Sequence, residues 1–158
     1  MPETLPIEPA QRRIIGRREW LALPELGVFP INCKIDSGAR NCSLHAENIE
    51  VSEDRRCVEF TTLNHYGREV RCRAAIARFG RVRSSTGVAR KRVFIESTAM
   101  LPGGFSKLIL ISLANRSDMN CPLLLGRSAL AGHFLVDPQG HHLLGSRRKL
   151  EAELLDHS

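Results

Sequence analysis

The sequence of 158 residues has no C-x-x-C pair, and its five cysteines, Cys33, Cys42, Cys57, Cys72 and Cys121, are odd in number and widely spaced. That argues against a disulfide framework and a zinc knuckle. Its six histidines include no H-E-x-x-H arrangement, and the adjacent His141 and His142 are expected on opposite faces of a strand. No G-x-x-x-x-G-K-[ST] phosphate loop occurs. The reading therefore expects no metal and no other cofactor. Apolar runs all fall short of the ~18 residues of a membrane span, so no membrane partner is expected. Aromatic residues make up 5% of the chain and form no RNP-like motif, which leaves little to stack on single-stranded bases; no obligate nucleic-acid partner is expected. Residues 1–13 read as a flexible arm. They hold Pro2, Pro6 and Pro9 among acids and arginines without the apolar centre of a secretory signal, and the expected location is cytoplasmic.

What the chain does have is an ordinary globular balance, 42% hydrophobic and 25% charged, at a length that fits one domain. Lys plus Arg number 23 against 17 Asp plus Glu, a net charge of +6 that favours an anionic partner. No repeat and no linker divide it. The expected organisation is an arm over 1–13, a β domain over 14–146 and a C-terminal helix and tail over 147–158.

Strand signals dominate. Order begins at Ile14, and Trp20 is a core candidate. Val28 to Ile35 reads as a strand in which Pro30 demands an edge or a bulge. Ser43 to Val51 suggests further short strands. Cys57–Leu63 and Glu69–Ala77 flank a Gly-containing turn and form the clearest hairpin. A second hairpin has arms Ala74–Arg83 and Arg90–Ser97 and the polar tip Ser84-Ser85-Thr86-Gly87, with Arg81, Arg83, Arg90, Lys91 and Arg92 on its flanks. After the break at Pro102-Gly103-Gly104, Lys107–Leu113 is a strand, residues 115–120 are a loop, and Leu123–Leu125 is a short buried strand ending at Gly126. Ser128 is placed to cap a short helix through His133, Phe134–Val136 reads as a last core strand, and Leu150, Leu154 and Leu155 carry helical spacing within Arg147–Leu155. The expected fold class is all-β with one or two short helices.

Within this frame one loop carries chemistry. The apolar strand ending at Ile35 delivers Asp36, followed by Ser37, Gly38, Ala39 and Arg40. A carboxylate at a strand end, with a glycine that lets backbone N–H groups turn back on it, can be held in one orientation. Asp-Ser-Gly is also ordinary turn chemistry, so the loop alone decides nothing.

Asp36-Ser37-Gly38-Ala39, the glycine-tipped hairpin at Gly87 and the later Leu124-Leu125-Gly126 together resemble a retropepsin-type aspartic peptidase. The likeness is closer to a bacterial subfamily, retropepsin-like proteins catalogued as "ATP-dependent zinc proteases" and found beside the ligase that adds glutamates to a small-subunit ribosomal protein. The segments that carry it are Gly16-Arg17-Arg18-Glu19-Trp20, Leu23 to Gly27, Lys34 to Arg40 with Ser43 to Ala46, Val82 to Gly87, Asn115 to Met119, and Leu124 to Leu130. Ser37 stands where Thr is commoner in the family, which keeps the hydroxyl.

The resemblance implies a closed retropepsin-like barrel and a homodimer in which each chain contributes Asp36, with Ser37 bracing the two loops and Gly38 donating backbone N–H groups. It further implies an endopeptidase acting on an acidic peptide, a glutamate-tailed ribosomal protein in the subfamily context. Arg40, His45, Arg83, Gly87, Arg116 and Arg127 are the candidates for gripping such a substrate, since arginines pair bidentately with carboxylates. The competing expectations are that Arg116 and Arg127 hold loops together and that the hairpin arginines guard an edge. Two other functions compete: a non-catalytic β domain that binds an acidic tail or ribosomal RNA, and a metal-dependent hydrolase. Asp137 before Pro138 reads as a turn former. Glu19 either positions a loop or lies on an exposed face, and Cys33 and Cys42 read as small buried hydrophobes.

Overall fold

The computed structural model describes residues 11–83, 86–116 and 120–156. The strands are β1 (Arg13–Ile15), β2 (Arg18–Leu23), β3 (Val28–Ile35), β4 (Cys42–His45), β5 (Glu47–Val51), β6 (Cys57–Leu63), β7 (Glu69–Arg83), β8 (Ala89–Leu101), β9 (Phe105–Ala114), β10 (Leu123–Leu125) and β11 (Phe134–Val136). One helical turn, α1 (Arg127–Leu130), and a longer helix, α2 (Arg147–Asp156), complete the chain. The all-β class is as the sequence implies.

Six strands close a barrel in the order β2-β3-β10-β4-β9-β8, with Ala22 of β2 meeting Met100 of β8 to shut it. Alternation explains which side chains fill it. Leu21 and Leu23, Ile31 and Cys33, Leu44, Ile95, Ile111, Leu113 and Leu123 are all at most 2% exposed. Each Leu or Ile so buried contributes on the order of 1.5–3 kcal/mol. From β8 the sheet continues outward through β7, β6 and β5. Both predicted hairpins exist, and they share β7 as one long strand. Helix α2 lays Leu150 against Ala22 and Met100, with Trp20 and Leu154 at the margin.

Pro30 does not make β3 an edge, because β3 is paired on both sides by β2 and β10. It sits where the β2–β3 register shifts between Leu21 and Leu23, so the missing N–H falls at an irregularity. Ser128 is not a cap. The N-cap of α1 is Gly126, no side chain caps it, and the helix ends at Leu130 rather than His133. Phe134–Val136 is not a core strand: among the described residues β11 pairs only with β1, in parallel, and of its three residues only Phe134 is buried. His141 and His142 lie outside any strand, and their rings stack at 5.4 Å instead of pointing apart. Trp20 is half-buried, stacked on His142 at 4.8 Å and edge-on to His65 at 4.6 Å. The arm over 1–13 and the tip at Ser84 and Ser85 lie largely outside the described residues, as do 117–119 of the expected 115–120 loop.

Candidate active site

Asp36 leaves the end of β3 beside the end of β10. The two strands run parallel with Leu125 level with Ile35, and the Asp36 N–H donates to the Leu125 carbonyl at 2.9 Å. The turn then closes on the aspartate itself. The Gly38 N–H donates to Asp36 Oδ1 at 2.9 Å, and the Ala39 N–H to the Asp36 carbonyl at 3.2 Å. One carboxylate oxygen is thereby fixed by its own loop while Asp36 stays half-buried, with Ser37 and Gly38 exposed beside it.

The segment after β10 braces the loop from behind. N–H groups of Arg127 and Ser128 donate to the carbonyls of Ala39 and Arg40, at 2.7 and 3.1 Å. Arg127 Nη1 donates to the carbonyls of Ser37 and Gly38, both at 3.1 Å. Gly126 makes that approach possible: a Cβ there would lie 2.4 Å from the Asn41 carbonyl oxygen and 2.8 Å from that of Ala39. Lys107, buried, donates from Nζ to the Ser128 carbonyl at 3.1 Å.

A second brace acts upstream. Glu19, 0% exposed, accepts the N–H groups of Gly16 at 2.8 Å, Leu143 at 3.0 Å and Leu144 at 3.1 Å. Its loop-positioning reading is the observed one. The N–H of the neighbouring Arg17 donates to the Gly140 carbonyl, and the Arg17 carbonyl accepts the N–H of Ile35, one residue before Asp36. The first and last segments of the domain are thus tied to the strand that presents the aspartate.

The remaining candidates fall into separate places. Arg40 is exposed next to the loop. His45 and Arg116 lie together elsewhere: His45, 3% exposed, accepts the Arg116 N–H on Nδ1 at 2.8 Å, which leaves Nε2 facing Glu47 at 3.6 Å. With Asn32, Asn64, His65 and Asn120 they line a cavity of about 380 Å³. Cys42, not His45, is the β4 residue at the Leu125 level, so this cavity is displaced by three residues, about 10 Å of strand. Arg83 and Gly87 are on the β7–β8 hairpin, Gly87 with φ +85° in the turn where a side chain would be strained. Among the described residues, β8 on the hairpin side of Val93 pairs with β7 alone, so the hairpin overhangs the barrel as a two-stranded ribbon.

Other titratable groups near the loop serve structure. Burial pushes the Cys33 thiol well up and the Cys42 thiol up, which removes both as nucleophiles. Asp137 Oδ1 accepts the Gln139 N–H at 2.9 Å, a turn former as expected. Among the described residues no three His, Cys, Asp or Glu side chains converge to hold a metal ion.

A family described as RimB-like, "Retropepsin-like aspartic endopeptidase RimB", matches residues 14–147. Over 147 residues the chain is 38% identical to a protein named "Probable alpha-L-glutamate ligase" of Shewanella pealeana, covering 90% of this chain and 32% of that one. A protein of the same name from Parasynechococcus marenigrum is 35% identical over 147 residues, at 90% and 31% coverage. The chain thus spans about a third of the length of the curated relatives it matches. Among solved structures, Lpg0085 of Legionella pneumophila, of unknown function, superimposes with a TM-score of 0.68 at 27% identity, covering 84% of this chain and 98% of that one.

Proposed function

This chain belongs to the RimB-like family of retropepsin-like aspartic endopeptidases, and from that premise we propose that it hydrolyses glutamyl peptide bonds, with Asp36 as its catalytic carboxylate. The observation that carries the reading is the loop itself: an aspartate held through Oδ1 by Gly38 and through its backbone by Leu125, and left half open to solvent. Arg127 braces that loop through the Ser37 and Gly38 carbonyls, and Arg17 holds the strand that delivers it at Ile35.

One loop is half of an aspartic mechanism. In the proposed homodimer the Asp36 of a partner copy supplies the second carboxylate. Two such groups within about 3 Å cannot both ionise and share one proton. The ionised member takes a proton from water as the water oxygen bonds to the scissile carbonyl carbon; the protonated member gives its proton to the carbonyl oxygen. As the diol collapses, one of its hydroxyl protons passes to the ionised member, the C–N bond breaks, and the departing nitrogen takes the proton of the other member, which returns the pair to its singly protonated state. Ser37 and Gly38, exposed beside Asp36, are where the two loops would meet.

The acidic substrate is supported by charge and by the relatives. Arg40 beside the loop and Arg83 on the ribbon are exposed guanidiniums suited to carboxylates. The relatives named glutamate ligases are about three times as long, and only one third of each matches this chain. A domain of this kind fused to a ligase supports a substrate that itself contains glutamyl bonds, such as the glutamate tail of a small-subunit ribosomal protein. The test is cleavage of oligoglutamate followed by mass spectrometry. Asp36→Asn should abolish product, and chelation should leave the wild-type rate unchanged. Undiminished cleavage by Asp36→Asn removes the proposal.

A further inference from the structure

The overhanging part of the β7–β8 ribbon carries a charge pattern that the rest of the sheet avoids. From Arg78 to Arg92 the sequence holds Arg78, Arg81, Arg83, Arg90, Lys91 and Arg92 and no acid. Arg81 stands directly opposite Lys91, and like charges in that position destabilise an antiparallel pair. The barrel-proximal half of β7 shows the contrary arrangement. There Arg71 pairs with Glu50 at 3.5 Å, and Arg73 is level with Glu59 of β6. Where this sheet is merely solvated its signs are mixed. Among the described residues, no carboxylate is within ion-pair distance of Arg81, Arg83, Arg90, Lys91 or Arg92.

The register sorts these cations by face. Ile95 is part of the core and Val93 packs against it, so by the two-residue alternation Lys91, with Arg81 opposite it and Arg83 two residues on, continues that inner face. Arg90 opposite Val82, Arg92 opposite Gly80, and Arg78 opposite Phe94 take the outer face, where Arg78 lies 4.1 Å over the Phe94 ring. Both faces are therefore cationic. An extended acidic peptide is a single line of charge and compensates one face, leaving the other bare. A duplex groove presents phosphates on two walls and compensates both.

Of duplexes, the ribbon suits one read by backbone alone. It carries no Asn or Gln to read adenine, its cations stand on the two faces of the ribbon where they meet phosphates, and its one aromatic residue, Phe79, lies opposite Val93, where the pairing with β9 begins. Recognition by shape and phosphate contact is the mode that double-stranded RNA permits. We propose that the β7–β8 ribbon docks across the wide minor groove of double-stranded RNA, with Arg81, Arg83 and Lys91 toward the phosphates of one strand and Arg90 and Arg92 toward those of the other. Arg83 is shared with the acidic-substrate reading above, whereas Arg81, Arg90, Lys91 and Arg92 have no part in it, and the inference concerns binding and not cleavage.

The test is fluorescence anisotropy of the full chain with a labelled 20-base-pair RNA hairpin, titrated between 50 and 200 mM KCl without any peptide present. Five phosphate contacts should weaken binding by roughly 500-fold across that range. Arg81→Gln/Lys91→Gln and Arg90→Gln/Arg92→Gln should each raise Kd about 10-fold at 100 mM salt and lower the salt slope by about two. Arg71→Gln/Arg73→Gln, on the acid-balanced half, should stay within about twofold of wild type. All these side chains but the half-buried Arg92 are exposed, and thermal midpoints check that each variant folds. Three results overturn the proposal: both ribbon pairs binding like wild type, the Arg71/Arg73 control losing as much as they do, or a DNA duplex of the same sequence binding equally well. If poly-glutamate displaces the RNA and only the inner pair matters, the ribbon is a carboxylate grip and the RNA assignment falls.

Discussion

Arg127 donates from one nitrogen, Nη1, to the carbonyl of Gly38 at 3.1 Å and to that of Ser37 at the same distance. The guanidinium is thereby committed to the loop that holds Asp36, although the residue is exposed. This separates two roles that the sequence leaves open. A residue that grips substrate changes KM when removed; one that positions a loop changes kcat. Arg127→Ala should cut kcat of glutamyl peptide cleavage by up to about 10²-fold, the scale on which a small misplacement of reacting groups acts. KM should change little, and stability should stay within about 0.5 kcal/mol, as for a surface substitution. A rise in KM at constant kcat would return Arg127 to the substrate.

Gly126→Ala tests the same contact from the backbone side. The added methyl would sit 2.4 Å from the Asn41 carbonyl oxygen and 2.7 Å from its carbon. Backbone on both sides leaves no flexible side chain to yield, so β10 must move away from the loop. Overpacking of this kind costs about 1–3 kcal/mol. A chemical denaturation curve should show that loss, and Asp36 should lose its bond to Leu125 along with it. An unchanged midpoint would mean the loop accommodates the methyl by shifting freely.

The barrel and its loop were legible in the sequence for a physical reason. Strands such as Val28–Ile35 and Leu123–Leu125 are written in local alternation or apolar runs, and Asp36-Ser37-Gly38 is contiguous. What was not legible depends on pairing between distant segments. Nothing local to Phe134–Val136 says that its partner is Arg13–Ile15 and that it lies outside the barrel. Ser128 has the chemistry of a cap, but the chain turns two residues earlier, at Gly126, because that glycine must pass against Asn41. Glu19 shows the same limit. The sequence offers an acid beside a tryptophan, and only the fold brings Leu143 and Leu144 to it.

Thiol chemistry gives a third expectation. Cys33, Cys42, Cys72 and Cys121 are buried, and burial raises each thiol, Cys72 to about 11. Cys57 alone is partly exposed. Brief alkylation of the native protein at pH 8 should therefore label Cys57 and spare the other four until denaturant is added, as read by peptide mass spectrometry. Rapid labelling of Cys42 in the native state would show that the segment behind the Asp36 loop opens readily.

Glu19→Gln probes the buried brace. Glu19 Oε2 takes the N–H groups of Gly16 and Leu143, and Oε1 that of Leu144. An amide can supply one oxygen, so its NH₂ must face an N–H that needs an acceptor. The loss of a charge-assisted bond and the orphaned donor together should cost about 2–3 kcal/mol. In a domain of this size that lowers the melting temperature by roughly 4–12 °C. Glu19→Ala should cost more, because it removes every acceptor. A melting curve for the glutamine variant that overlays wild type would show that Glu19 holds nothing.

His142 sets a pH dependence whose sign follows from its surroundings. Its ring is stacked on Trp20 at 4.8 Å and on His141 at 5.4 Å, its Nε2 is 3.0 Å from Asn32 Oδ1, and His65 meets Trp20 edge-on. Burial, and then the neighbouring His141, lower its pKa; the more distant Glu19 opposes them. In the unfolded chain the imidazole titrates near its ordinary value of about 6.5. Around that pH the unfolded state binds more protons than the folded one, so stability rises with pH. The contribution is complete above about 6.5 and is lost as pH falls toward the lower folded value. Denaturation midpoints of wild type should therefore drop between pH 7.5 and 5.5 more than those of His142→Gln, which keeps a polar group near Asn32 but has nothing to titrate. Equal slopes for the two proteins would place the pH dependence on other groups and leave the Trp20 stack insensitive to protonation.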